Sequence, residues 1–267
     1  MDHASNYRQL NQAMWDERVP IHLTSPYYDL ESFRDNPDSL RDFEPAELGD
    51  VTGKTLLHLQ CHIGLDTLSW ARRGARVTGL DFSPAANEAG RLLADEIGVD
   101  AEFVTSDVYE APTALNGRRF DIVYTGVGAL CWLPDMRRWA QTVADLLNEG
   151  GVLYLVEFHP AGDILDDATG SRLTGDYFSD EALVYEFAGT YADSTADTRN
   201  NLQVEFRHSL GSILTAVAEA GLRLELFTEY PYTLFQRFEN LEQDQAGRYH
   251  AATVGKAPLM YSLRARA

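Results

Sequence analysis

Positive charge is the scarcest commodity in this 267-residue chain: 22 Lys and Arg stand against 41 Asp and Glu, a formal charge of −19. Only Lys54 and Lys256 are lysines. Sequence-independent binding to nucleic acid draws its affinity from Lys and Arg on phosphates, so nucleic acid is not the expected partner. Docking on an anionic membrane is disfavoured for the same reason. No stretch approaches the ~20 apolar residues of a membrane span. The polar start at residues 1–7 lacks the basic and apolar regions of a signal peptide. Cysteine is scarce too: Cys61 and Cys131 make no disulfide framework, which fits a cytoplasmic location. There is no internal repeat, no low-complexity tract and no G-x-G-x-x-G.

What is present is ordinary for a globular fold, with 45% hydrophobic and 24% charged residues. The charge is unevenly spread. The segments 1–53, 54–160, 161–206 and 207–267 carry nets of −7, −5, −8 and +1. Two stretches therefore hold most of the excess.

Residues 6–19 have the spacing of a helix, with Tyr7, Leu10, Met14 and Trp15 before Pro20. The aromatic stretch 22–43 has no deciding period. From Lys54 onward strands and helices alternate. Strands are expected at 55–59, 75–80, 101–105, 120–124 and 152–158, with helices at 64–71, 84–97 and 134–147 between them. Residues 161–206 are acidic and too long for a simple connection. A helix at 210–220, a sixth strand at 222–227 and a last strand at 259–265 complete the pattern. Such alternation predicts right-handed crossovers and a parallel sheet. The expected fold is α/β, a doubly wound, mostly parallel seven-stranded Rossmann-like sheet. Residues 1–53 form a helical cap segment, 54–160 the cofactor-binding core, 161–206 a cap insertion after the fifth strand, and 207–267 the completion of the sheet.

In an open parallel sheet, ligands bind beyond the carboxyl ends of the strands. The first strand runs out in Leu57-His58-Leu59-Gln60-Cys61-His62-Ile63-Gly64, the second in Asp81, the third in Ser106-Asp107-Val108. An acid at the second strand end can accept from both hydroxyls of a ribose, and one at the third can take an adenine amine. Two such acids suit an adenosine group and oppose a pyrophosphate, whose usual glycine cradle is absent. On these residues the chain resembles the class I S-adenosylmethionine-dependent methyltransferases of small-molecule type, over about residues 54–160. It departs from the usual loop, which has an acid and several glycines where this chain has His58, Gln60 and His62 and keeps Gly64.

The resemblance implies that S-adenosylmethionine is held by Gln60, His62, Gly64, Asp81, Phe82, Asp107, Val108, Thr125 and Gly126, and that S-adenosylhomocysteine is the product. It implies O- or N-methylation of a small molecule by in-line displacement. An alcohol or phenol acceptor benefits from a general base. His159, after the fifth strand, and His208, before the helix at 210–220, are the candidates. Trp15, Tyr27, Tyr28 and Trp132 are candidates for the acceptor pocket. His58, Cys61 and His62 form a cluster, but strand alternation separates His58 from His62 and no further pair gives zinc spacing, so no metal is expected. Each residue also has a plainer reading: Asp81 as a helix cap, Asp107 as a turn residue, the histidines and aromatics as packing. The competing functions are a nucleotide-dependent oxidoreductase and a non-catalytic cofactor-binding module of the same fold.

Overall fold

The computed structural model describes residues 6–35, 38–251 and 257–267. Three helices lead in: α1 (Tyr7–Thr24), α2 (Leu30–Asp35) and α3 (Phe43–Leu48). The alternating core follows with β1 (Thr55–Leu59), α4 (Leu65–Arg72), β2 (Arg76–Asp81), α5 (Pro84–Ile97), β3 (Ala101–Thr105), α6 (Ala111–Ala114), β4 (Phe120–Thr125), α7 (Met136–Leu146) and β5 (Leu147–Phe158). A hairpin of β6 (Leu183–Glu186) and β7 (Leu202–Glu205) lies in the long acidic segment. Then come α8 (Leu210–Glu219), β8 (Arg223–Tyr230), β9 (Tyr232–Thr233), β10 (Leu241–Gln243), β11 (Tyr249–Ala251) and β12 (Met260–Arg266).

The main sheet has seven strands in the order β3-β2-β1-β4-β5-β12-β8. All neighbours are parallel except β12, which is antiparallel to β5 and to β8. The order reverses between β1 and β4, so a crevice opens beyond their carboxyl ends. β1, β4 and β5 are central and read as apolar runs because helices cover both faces. Leu57, Val123, Leu153 and Leu155 pack with Trp139 and Val143 of α7, while Leu56, Ile122, Tyr124 and Tyr154 pack with Trp70 on the other face.

Local chemistry explains the boundaries. Ser83 caps α5 by accepting from the Ala86 N–H, Pro84 takes the first turn, and Gly98 ends the helix in the left-handed conformation. The sequence pattern predicted a helix that stops before Pro20, but α1 runs through it to Thr24. Pro20 is exposed, so only a solvent-side hydrogen bond to the Asp16 carbonyl is lost, while buried Arg18, Val19 and His22 hold both flanking turns.

Residues 207–267 do more than complete the sheet. Between β8 and β12 they carry a small antiparallel sheet, β10-β11-β9. Its strands are two or three residues long, too short for any period to show.

Candidate functional site

Beyond β1 the chain turns sharply. Gln60 (φ 57°), His62 (φ 49°) and Gly64 (φ 81°) are all left-handed, alternating with ordinary residues. Two side chains thus occupy backbone positions that favour glycine, at a cost in strain of order 1 kcal/mol or more each. Gly64 has a second reason: a Cβ there would sit 2.6 Å from the Phe103 ring. Gly79 and Gly90 border the same ring, so three glycines make the slot that Phe103 fills.

The turn is held by its neighbours. Gln60 Nε2 donates to the Ala129 carbonyl at 2.8 Å, while Gln60 Oε1 is buried without a partner. The His62 N–H donates to Asp81 Oδ2 at 2.9 Å, and the Ser83 N–H to Asp81 Oδ1 at 2.9 Å. Burial pushes the Asp81 carboxyl up to about 6, against the two N–H bonds that pull it down. Asp107 accepts from the Tyr109 N–H at 2.8 Å and lies 3.3 Å from Arg8 Nε.

These groups open into one cavity of about 1750 Å³. Of the residues expected at the cofactor, Gln60, His62, Gly64, Asp81, Phe82, Asp107, Val108 and Gly126 line it. Thr125 does not; it is fully buried behind them at the end of β4. Trp15, Tyr27, Tyr28 and Trp132 all line the cavity and converge with residues the sequence reading missed. Trp15 meets Trp132 with ring centroids 5.4 Å apart and His62 at 5.1 Å. Tyr191 packs on Tyr27 at 5.4 Å and hydrogen-bonds the Tyr28 hydroxyl. Tyr191 belongs to the acidic segment, where no pattern distinguishes one tyrosine from another.

His22, also unforeseen, is fully buried and links to His62, Nδ1 to Nε2, at 2.8 Å. Burial and nearby cationic groups lower His22 to about 4 and His62 to about 3, so the pair is neutral at pH 7. His58 points elsewhere, to Thr67 Oγ1 at 2.8 Å.

The structure separates the two candidate bases. His208 lines the cavity, with Nε2 donating to the Leu133 carbonyl at 2.7 Å, which leaves the lone pair on Nδ1. His159 does not line it. Its Nδ1 accepts from the Ala161 N–H at 3.1 Å and its Nε2 is 2.9 Å from Glu229, so both ring nitrogens are engaged in holding the start of the acidic segment. The reason is local: the chain turns at Pro160, and the imidazole closes that turn. The titratable residue of that β5 end which lines the cavity, beside Phe158, is Glu157. It accepts from the N–H groups of Gly128, Ala129, Leu130 and Phe158 and so fixes the loop that carries Trp132. Burial raises its carboxyl to about 7.

Residues 57–153 match a protein family described as "Methyltransferase domain". Among curated proteins, a ubiquinone biosynthesis O-methyltransferase of Serratia proteamaculans is 32% identical over 137 residues, 49% of this chain and 56% of that protein. Its counterpart from Erwinia tasmaniensis is 33% identical over the same length, 49% of this chain and 55% of that one. The chain spans about half the length of the curated relatives it matches. Among solved structures, an S-adenosylmethionine-dependent methyltransferase from Mesorhizobium loti has a TM-score of 0.59 at 22% identity, covering 83% of this chain and 94% of that one. A geranyl diphosphate C-methyltransferase from Streptomyces coelicolor, solved with S-adenosyl-L-homocysteine, has a TM-score of 0.56 at 15% identity, covering 94% and 83%. At these identities the structural likeness speaks for the fold.

Proposed function

We propose that this chain, whose residues 57–153 form a methyltransferase domain on a class I Rossmann-like sheet, transfers a methyl group from S-adenosylmethionine to a small-molecule acceptor. The observation that carries the reading is the juxtaposition of Asp81, Asp107 and the 60–64 turn on one cavity wall. Two strand-end carboxylates suit the ribose and the adenine amine of an adenosine group. The buried, unpartnered Gln60 Oε1 is an acceptor awaiting a donor, such as the ammonium of a methionine moiety. The residues present therefore fit the cofactor, which supplies an electrophilic methyl carbon.

The rest is work for this chain. Asp81 and Asp107 fix the adenosine end, and Phe82 lies beside it. Trp15, Tyr28, Trp132 and Tyr191 wall off water and orient the acceptor. His208, through Nδ1, takes the proton when the acceptor is a hydroxyl. In this reading residues 1–53 and 161–206 are covers on the 54–160 core, and the 232–251 sheet is a third. Acidic covers favour a neutral or cationic acceptor over a polyanion. The reading also takes the chain to work in the cytoplasm; among the described residues no helix is long and apolar enough to cross a membrane.

The test is product formation. Incubation with S-adenosylmethionine and a panel of hydroxyl- and amine-bearing metabolites should give acceptor-dependent S-adenosylhomocysteine by mass spectrometry. Tight binding of a nicotinamide dinucleotide with none of S-adenosylmethionine would overturn the reading.

A further inference from the structure

Arg18 is a buried cation without a direct ion pair among the described residues: it is only 6% exposed, and no carboxylate there lies within ion-pair distance of it. Its guanidinium meets the Met14 sulfur, the Gln203 side-chain oxygen at 3.3 Å and the Phe187 carbonyl at 3.5 Å, and its Nε has no partner. A cation removed from water and left without an anion is costly, and such a site is completed by a ligand that supplies one.

The guanidinium borders a side chamber of about 310 Å³, between α1 and the β6–β7 hairpin. Trp15, Trp132, Phe187 and Tyr191 form its apolar walls, and all four also line the main cavity, so the two spaces adjoin across these rings. Glu205 brings a carboxylate to the same chamber. It acts on Arg18 only at a distance and makes no direct ion pair with it, because the Gln203 amide stands between them, donating from Nε2 to Glu205 Oε1 at 2.7 Å. The chamber therefore presents a guanidinium and a carboxyl group, one amide apart, beside aromatic walls. The frame is firm: Asn11 of α1 clamps Val204 of β7 with two hydrogen bonds of 2.8 Å.

We propose that this chamber is the subsite for the charged end of the acceptor, and that the acceptor is an α-amino acid. Its carboxylate meets the Arg18 guanidinium, its ammonium meets Glu205, and its side chain runs along the Trp15 and Trp132 rings towards His62 and the 60–64 turn. The guanidinium suits a carboxylate by its planar fork of donors. A zwitterion satisfies both protein charges and adds no net charge to an acidic molecule. The methylated atom then belongs to the side chain, since the amino and carboxyl groups are held at the far end. That last step rests on the methyl-transfer reading; the charged contacts do not.

The test is calorimetric titration of the full chain, saturated with S-adenosylhomocysteine, at pH 8, where Glu205 is ionised despite burial and Asp163 raising its carboxyl to about 7. The probes are L-phenylalanine, 2-phenylethylamine and 3-phenylpropanoate. L-phenylalanine should bind at least tenfold more tightly than either analogue. Arg18→Gln should bring it within threefold of the amine, and Glu205→Gln within threefold of the acid. Equal binding of all three, no binding of L-phenylalanine, or a tenfold preference that survives both substitutions overturns the proposal. Thermal unfolding checks each variant, and if Arg18→Gln fails to fold, Glu205→Gln decides. Titrating S-adenosylhomocysteine, and separately L-phenylalanine, into the unliganded protein separates the readings. Homocysteine-adduct binding without amino-acid binding sinks this proposal alone, and the reverse sinks the methyltransferase reading alone.

Discussion

At the scale of single residues, the site is built from side chains whose second role is structural. Glu157 is the clearest case: one carboxylate satisfies four backbone N–H groups. An amide keeps one acceptor oxygen and turns an N–H₂ on the other donors. Glu157→Gln should therefore cost about 2 kcal/mol or more, the usual range for buried donors left unmet, measured by denaturant unfolding. It should also loosen Trp132, which is read by near-ultraviolet dichroism. Gly64→Ala meets two obstacles at once, a left-handed backbone and the Phe103 ring at 2.6 Å. A loss of about 3 kcal/mol is expected from strain and overpacking together. His208 and His159 should differ in what their loss does. His208→Ala should lower turnover of a hydroxyl acceptor at least tenfold with cofactor affinity unchanged. His159→Ala should act on stability, with turnover of the folded fraction near wild type. Equal loss of turnover in both variants would contradict the separation drawn here.

At the scale of elements, α1 is the piece that covers the crevice at the carboxyl edge of the sheet. Its inner face carries Trp15, Arg18 and His22, spaced to share one side of the helix. The His22–His62 contact fastens that face to the 60–64 turn. Both imidazoles have folded-state values below the ordinary 6.5, so the unfolded chain binds more protons between pH 6.5 and about 4. Stability should rise with pH through that window and fall on acidification. The melting temperature of a His22→Gln variant should depend less on pH there than that of the wild type; parallel curves would contradict the assignment.

The core elements were legible because strand and helix periods are strong where both sheet faces are covered. Asp81, Asp107 and Gly64 were legible because strand ends fix their position without reference to anything distant. Arg18, His22, Tyr191 and Glu205 were not. Their meaning comes from α1 packing on a hairpin some 180 residues away, and no local pattern announces such a contact. The direction of the His159 ring, away from the cavity, was not legible for the same reason, since topology gives the face of the sheet but not the direction of a ring.

At the scale of the whole molecule, the −19 charge is concentrated in the covering segments. Self-repulsion among them opposes closure and is screened by salt. Raising sodium chloride from about 10 to 150 mM should raise the melting temperature. A buried network works the other way. Arg41 bridges Glu44 and Asp66 at 3.1 and 3.0 Å, and the Tyr124 hydroxyl donates to Glu44 at 2.6 Å, tying the lead-in helices to the centre of the sheet. Arg41→Ala leaves the buried Glu44 and the partly buried Asp66 without their cation and should cost about 3 kcal/mol.

The central claim is that Asp81, Asp107 and the Gln60–Gly64 turn hold an adenosine-bearing sulfonium cofactor. Calorimetric titration of S-adenosylhomocysteine into the wild-type chain and into Asp81→Asn tests it most directly. One site per chain is expected, with affinity reduced roughly 10- to 100-fold by the substitution, the worth of a charged hydrogen-bond acceptor. No binding by the wild type, or equal binding by both proteins, would contradict it.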